Sequence, residues 1–190
     1  ETGLATHWPA DGPPVLWKAT VGRGYAGASV VAGKVYLLDR IADAQDTLRC
    51  WDLNTGAELY TVACKAPGST PHNGSRMPVT LRGNHAYGVG PLGDCYCFDI
   101  EKHELVWRRI LPADFKIDLT RTNESMWGMA QAPLLYKDKL IVSLQCADKS
   151  MAALNPDTGE IDTTATTAGA DHAPPRAHII HNNRQLRDIV

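Results

Sequence analysis

The sequence predicts an all-β protein, and three observations carry that prediction. Hydrophobic residues occur in short runs rich in branched and aromatic side chains, as in residues 34–38 and 139–143. The 16 Gly and 12 Pro are spread along the whole chain and bound these runs as turn residues. No window of helical length carries an apolar stripe at helical spacing.

Composition and charge exclude several classes of protein. The 190 residues are 44% hydrophobic and 21% charged, which is typical of a globular chain and excludes a disordered one. With 19 basic and 21 acidic residues, the chain has no global field that favours nucleic acid. No apolar stretch approaches the ~20 residues needed to span a bilayer. The chain begins at Glu1 without a secretion-signal pattern, and we interpret this as a trimmed N-terminus.

An internal repeat predicts the architecture. Residues 51–60 align without gaps on residues 98–107, and residues 154–160 provide a third copy. Each copy follows a pair of apolar strands, and the copies at 51–60 and 154–160 contain a tight turn of the Asn-Thr-Gly or Asp-Thr-Gly type. Four strands in a repeat of about 50 residues predict the blade of a β-propeller.

The repeat divides the chain into a series of blades. Three blades cannot close a ring, so we expect the chain to be the N-terminal part of a larger propeller. Thr163 replaces the aromatic residue in the third copy, and the polar run 163–171 is either an outer strand or a loop. The expected parts are an isolated outer strand of the closing blade at 13–20, blade 1 at 24–64, blade 2 at 74–111, blade 3 at 126–168, and the start of blade 4 at 175–190.

The repeat pattern is Gly-x-Val-Tyr followed by Leu-x-Cys-x-Asp-x-x-Thr-Gly-x-x-x-Tyr/Trp. It resembles the tryptophan-docking repeat of the quinoprotein-like (PQQ-like) β-propellers, and the resemblance covers nearly all of residues 13–190. That family includes dehydrogenases dependent on pyrroloquinoline quinone (PQQ) and outer-membrane lipoprotein scaffolds. The resemblance implies a periplasmic or extracellular protein. It also implies that Trp17, Tyr60 and Trp107 dock across the neighbouring blade.

For a dehydrogenase, the resemblance implies PQQ stacked between a Trp and a bond joining adjacent cysteines, with a Ca²⁺ held by acidic and amide oxygens. This chain has no adjacent cysteine pair, since Tyr96 separates Cys95 from Cys97. We expect those two thiols to share one strand face and each cysteine to act as a small buried hydrophobe. No catalytic residue, metal site or cofactor is predicted in this chain, and PQQ with Ca²⁺ would belong to a full-length parent.

Candidate ligand-binding residues come from the segments that precede the inner strands. If Ser29, Pro78 and Pro133 are equivalent, Arg76, Gln131 and Arg176 share one repeat position near the mouth of the central channel. Two arginines there bind a carboxylate, a phosphate or an acidic peptide, or else they bond backbone carbonyls of neighbouring blades. Trp127 is either a stacking platform or a packing residue. The polar connection 112–125 is a site of partner contacts or a solvated loop.

Two functions follow. The first is a non-catalytic binding or assembly scaffold with a protein or small ligand on the propeller face. The alternative is a PQQ-dependent alcohol or sugar dehydrogenase whose active site lies mostly in blades outside this chain. A WD-type propeller is disfavoured because the Trp51-Asp52 dipeptide occurs only once and precedes the turn.

Overall fold

The computed structural model describes residues 7–72, 74–118, 128–144, 150–165, 178–182 and 185–189. They form three four-stranded antiparallel sheets and one hairpin, which confirms the predicted all-β propeller segment. Sheet 1 contains β1 (Ser29–Val31), β2 (Lys34–Ile41), β3 (Gln45–Asp52) and β4 (Glu58–Lys65). Sheet 2 contains β5 (Thr80–Arg82), β6 (His85–Val89), β7 (Asp94–Asp99) and β8 (Glu104–Ile110). After α1 (Leu111–Phe115), sheet 3 contains β9 (Leu134–Tyr136), β10 (Lys139–Ser143), β11 (Met151–Leu154) and β12 (Ile161–Ala165). The hairpin pairs β13 (His178–Asn182) with β14 (Gln185–Ile189).

Sheet 2 is covered on both faces because side chains alternate along its strands. Tyr96 and Phe98 pack in a core cluster with residues of sheet 1, whereas Cys95 and Cys97 pack in a second cluster with residues of sheet 3. Every residue of β7 is therefore buried. The prediction that Cys95 and Cys97 share one strand face is confirmed.

Sheet 3 has an outer fourth strand, β12, at the position where the sequence left a strand or a loop open. β12 pairs antiparallel with β11, so the start of the polar run at Thr163 is strand rather than loop. Cross-strand pairing with β11 overrides the low apolar content of this segment. The end of the same run, residues 166–171, lies outside the described residues.

Two predicted segments differ in the structure. The connection 112–125 opens as a helical turn, because Leu111 and Ile117 are buried in the second core cluster and anchor α1 there. Its remainder, residues 119–125, lies outside the described part of the chain. Residues 13–20 form no strand within the described residues, and their completion of a closing blade stays a prediction.

The pairing register corrects the repeat alignment. Two-residue turns join β1 to β2, β5 to β6 and β9 to β10, which makes Ser29, Thr80 and Leu134 the equivalent residues. The alignment of Ser29 with Pro78 and Pro133 is therefore wrong. Arg76 lies four residues before Thr80 and Gln131 three before Leu134, so they do not share one repeat position. The segments that lead into the sheets differ in length, and only hydrogen bonding defines the register.

No helix among the described residues is both long enough and apolar enough to cross a bilayer.

Candidate functional site

Each docking aromatic lies against the turn between the third and fourth strands of a sheet. The indole Nε1 of Trp17 donates to the Leu53 carbonyl at 2.7 Å, and that of Trp107 donates to the Pro156 carbonyl at 2.8 Å. The Tyr60 hydroxyl donates to the Ile100 carbonyl at 3.2 Å. All three acceptors directly follow the Asp or Asn that opens the turn.

A glycine or a histidine completes each docking contact. A Cβ on Gly56 would lie 2.6 Å from the Trp17 ring, and one on Gly159 would lie 2.8 Å from the Trp107 ring. At the turn between β7 and β8 the equivalent residue is His103, with φ of 57°, and its ring stacks on Tyr60 at a centroid distance of 3.7 Å. The phenol ring of Tyr60 is smaller than an indole, so the His103 side chain fits beside it where the other two turns have glycine.

Carboxylate and amide oxygens hold the docking turns. Oδ1 of Asp52 accepts the backbone N–H groups of Asn54 and Thr55, and Oδ1 of Asp99 accepts two N–H groups in the same way. These backbone bonds, which favour the ionised form, lower the pKa of both carboxyl groups. Asn155 makes the equivalent bonds in the third turn with an uncharged oxygen.

Hydroxyl groups connect the inner strands of neighbouring sheets. Ser29 Oγ donates to the Val79 carbonyl at 2.6 Å, and Thr80 Oγ1 donates to the Pro133 carbonyl at 2.5 Å. The two donors occupy the equivalent position established by the register, so this contact is part of the repeat.

A buried ionic cluster joins sheets 1 and 2. Nη1 of Arg40 lies 2.8 Å from Oδ1 of Asp46, and both side chains are 1% exposed. Tyr96 donates its hydroxyl to Oδ2 of Asp46 at 2.9 Å across the sheet boundary, and Arg40 also donates to the Gly68 carbonyl. Burial raises the pKa of Asp46, although Arg40 and Tyr96 favour its ionised form. The sequence analysis missed this cluster, because Tyr96 lies 50 residues from Asp46 in the sequence and the three residues match no motif.

The predicted ligand-binding residues occupy different environments. Arg76 is half-buried, with its guanidinium 5.6 Å from the centre of the Tyr25 ring and Nη2 donating to Thr70 Oγ1 at 3.3 Å. Burial lowers the pKa of Arg76. Gln131 is buried at 6% exposure in the segment before β9. Trp127 and Arg176 lie outside the described residues, so their binding roles stay predictions.

Two open clefts flank the segment that leads to Tyr25. One, of about 400 Å³, is lined by Gly22, Arg23, Gly24, Tyr25, Pro71 and His72. The other, of about 720 Å³, shares Gly22 and Arg23 and extends to the turn between β2 and β3. Two adjacent residues of that turn, Ala42 and Asp43, have φ of 51° and 55°. Both volumes fall within the ordinary range for ligand sites, about 300–1,000 Å³.

The described residues do not fit the cofactor of the quinoprotein dehydrogenases. Cys95 and Cys97 are buried in the core between sheets 2 and 3, and burial raises the pKa of the Cys97 thiol to about 12. Cys50 and Cys64 are buried and free in the core between sheets 1 and 2. Cys146 lies outside the described residues. Within the described part of the chain, no three His, Cys, Asp or Glu side chains form a metal-binding group.

A family model described as outer membrane protein assembly factor BamB matches residues 9–173. No curated protein matches the sequence.

Several solved structures are similar in fold. BamB from Moraxella catarrhalis is 18% identical with a TM-score of 0.50, over 86% of this chain and 39% of that protein. A europium-containing methanol dehydrogenase is 15% identical with a TM-score of 0.57, over 79% of this chain and 26% of the enzyme. The quinohemoprotein alcohol dehydrogenase of Comamonas testosteroni is 18% identical with a TM-score of 0.54, over 76% and 21%. The chain thus spans less than half the length of each, and at these identities the likeness shows the fold.

Proposed function

The chain belongs to the family described as outer membrane protein assembly factor BamB, and from that premise we propose that it forms part of a non-catalytic propeller scaffold. The scaffold binds a protein or small ligand on its face. Its proposed location is the periplasm or cell surface, by resemblance to the family. The organisation into blades at 24–64, 74–111 and 126–168 belongs to the same proposal.

The observation that carries the proposal is the buried cluster of Arg40, Asp46 and Tyr96, which joins sheets 1 and 2. Asp46 of sheet 1 pairs with Arg40 in its own sheet and accepts from the Tyr96 hydroxyl of sheet 2. A second pair, in which Arg108 Nε donates to Asp94 at 2.8 Å, links β7 to β8 within sheet 2. The Tyr96–Asp46 hydrogen bond fixes sheet 1 relative to sheet 2, and a rigid binding platform requires neighbouring sheets to be held in this way. Protein scaffolds bind through exposed surface supported by such a frame.

A PQQ-dependent dehydrogenase is the second candidate, and the fold likeness to a methanol dehydrogenase at a TM-score of 0.57 favours it. In that case the blades outside this chain would supply the cofactor site, because the described cysteines and acids do not fit one.

Calorimetric titration of the intact protein with PQQ, with and without Ca²⁺, separates the two functions. Dye reduction with simple alcohols follows on the same samples. The scaffold proposal expects neither Ca²⁺-dependent binding nor turnover, and it expects mild cross-linking to trap the protein with one reproducible partner. Tight Ca²⁺-dependent binding with dye reduction would replace the scaffold by the dehydrogenase.

A further inference from the structure

Three alternate residues of one short segment are exposed together. Val21 is 45% exposed and Tyr25 is 69% exposed, and Arg23 between them is also exposed. Arg23 makes no side-chain hydrogen bond or ion pair with the residues that the structure describes. We call Val21, Arg23 and Tyr25 the recognition row.

The backbone that carries the recognition row is held in place. The Gly22 N–H donates to both carboxylate oxygens of Asp39, at 3.0 and 3.1 Å. A Cβ on Gly22 would overlap the Arg40 carbonyl oxygen, and one on Gly24 would lie 2.7 Å from the Ser75 carbonyl oxygen. Only glycine permits this approach, so the spacing of the three exposed side chains is set before any partner arrives. Such preorganisation lowers the entropy cost of binding.

Tyr25 is held from two sides. Its backbone N–H donates to the Ser75 carbonyl at 2.6 Å, and the Arg76 guanidinium lies 5.6 Å from the centre of its ring. A cation against an aromatic ring stabilises the ring position. The ring is nevertheless largely exposed, so it is available to contact a partner.

The charge beside the row favours an acidic partner. The cleft of about 400 Å³ is lined by Arg23 and His72 and by no acidic residue. In the second cleft, the Asp39 carboxylate accepts from Gly22 N–H and from Arg49 at 3.0 Å, which offsets its charge. Asp43, in the β2–β3 turn, is the other acidic residue that lines this cleft.

We propose that the recognition row binds an acidic peptide segment of a partner protein. A carboxylate of the segment pairs with the Arg23 guanidinium, whose planar donors match a carboxylate in two hydrogen bonds. Apolar side chains of the segment pack on Val21 and on the free part of the Tyr25 ring. Tyr and Arg are among the residues enriched at the positions that dominate binding at protein interfaces. This inference rests on the proposed scaffold function and assigns it a surface and a class of partner.

Fluorescence anisotropy on the intact protein tests the proposal. The probe is a fluorescein-labelled synthetic peptide of alternating Glu and Leu, and the comparison peptide has Lys in place of each Glu. Arg23→Glu reverses the charge of the row, while Lys116→Glu makes the same change at an exposed position outside both clefts. We expect Arg23→Glu to weaken binding of the acidic probe by about tenfold or more, with Lys116→Glu near the wild type. Raising the salt from about 0.05 to about 0.5 M should also weaken binding, because this contact is screened.

Three results would overturn the proposal. They are equal binding of the Lys peptide, equal binding by Arg23→Glu and wild type, and no binding of the acidic peptide to wild type. Unfolding midpoints of the variants show whether each is folded, and Tyr25→Ala provides a second substitution that does not alter charge. The PQQ titration and the cross-linking test the scaffold function separately. The proposal that the recognition row binds an acidic peptide can therefore be refuted while the scaffold function is supported.

Discussion

The docking of Trp107 on Gly159 can be tested with a single added methyl group. Ala at 159 would place its Cβ 2.8 Å from the indole, which is well inside normal carbon contact, so the ring must lift from the turn. The Trp107 side chain is 9% exposed and its Nε1 is bonded to the Pro156 carbonyl at 2.8 Å. Complete loss of such a buried aromatic costs about 3–5 kcal/mol, and this is the upper limit for displacing it.

Gly33 is the matched control. Its φ is 75°, close to the 72° of Gly159, and no atom lies within 4 Å of the position of an added Cβ. Gly33→Ala therefore measures the left-handed backbone strain alone, which is about 1 kcal/mol after the entropy gained from removing a glycine. We expect Gly159→Ala to lower the free energy of unfolding by about 2–4 kcal/mol in a urea titration.

A double-mutant cycle isolates the contact. In a Trp107→Ala background the methyl group meets no indole, so Gly159→Ala should cost the same as Gly33→Ala. The coupling energy expected between positions 107 and 159 is about 1–3 kcal/mol. If the two glycine substitutions are equally costly in the wild type, within about 0.5 kcal/mol, the docking interpretation is wrong.

Three further predictions concern single residues. Asp46→Asn should lower the free energy of unfolding by about 3–5 kcal/mol in a urea titration, because it leaves the Arg40 charge buried without a counter-ion. A loss of stability under about 1 kcal/mol would contradict this prediction. Asp52 has a lowered pKa, so its contribution is complete above the unfolded value of about 3.9 and is lost as the pH falls through the lower folded value. Asp52→Asn, which copies Asn155, should therefore reduce the loss of stability on acidification, and an unchanged acid limb in pH-dependent unfolding would refute the role of the carboxylate. Ala42 has φ of 51°, a left-handed conformation that Asn tolerates better than Ala does. Ala42→Asn should therefore raise the free energy of unfolding by about 0.5–1 kcal/mol. A decrease in the free energy of unfolding would exclude backbone strain at this turn.

Local chemistry explains why much of the fold could be predicted. An Asp or Asn at the start of each docking turn bonds backbone groups two and three residues ahead, so the sequence alone marks the turn. Alternation along β7 similarly predicts that Cys95 and Cys97 share a face. Trp107 could be assigned by the repeat, because it occupies the position in β8 that Tyr60 occupies in β4.

The error in the repeat alignment arose where the register of strand pairing decides. Ser29, Thr80 and Leu134 are equivalent because two-residue turns set the register of each inner strand, whereas the small residues upstream indicated Pro78 and Pro133. Shifting the repeat alignment by one or two residues leaves the composition of each segment almost unchanged, so the sequence pattern does not detect the error.

The sequence by itself determined the four-stranded repeat, its docking turns and its family resemblance, since these depend on residues a few positions apart. Only the tertiary structure decided that Asp46 meets Tyr96 from the next sheet, and that Gly22 and Gly24 hold Arg23 exposed between two clefts. The physical reason is that burial, close backbone approach and charge pairing depend on which distant segments meet. That choice is made by the packing of whole sheets, because each sheet buries its apolar face against the next.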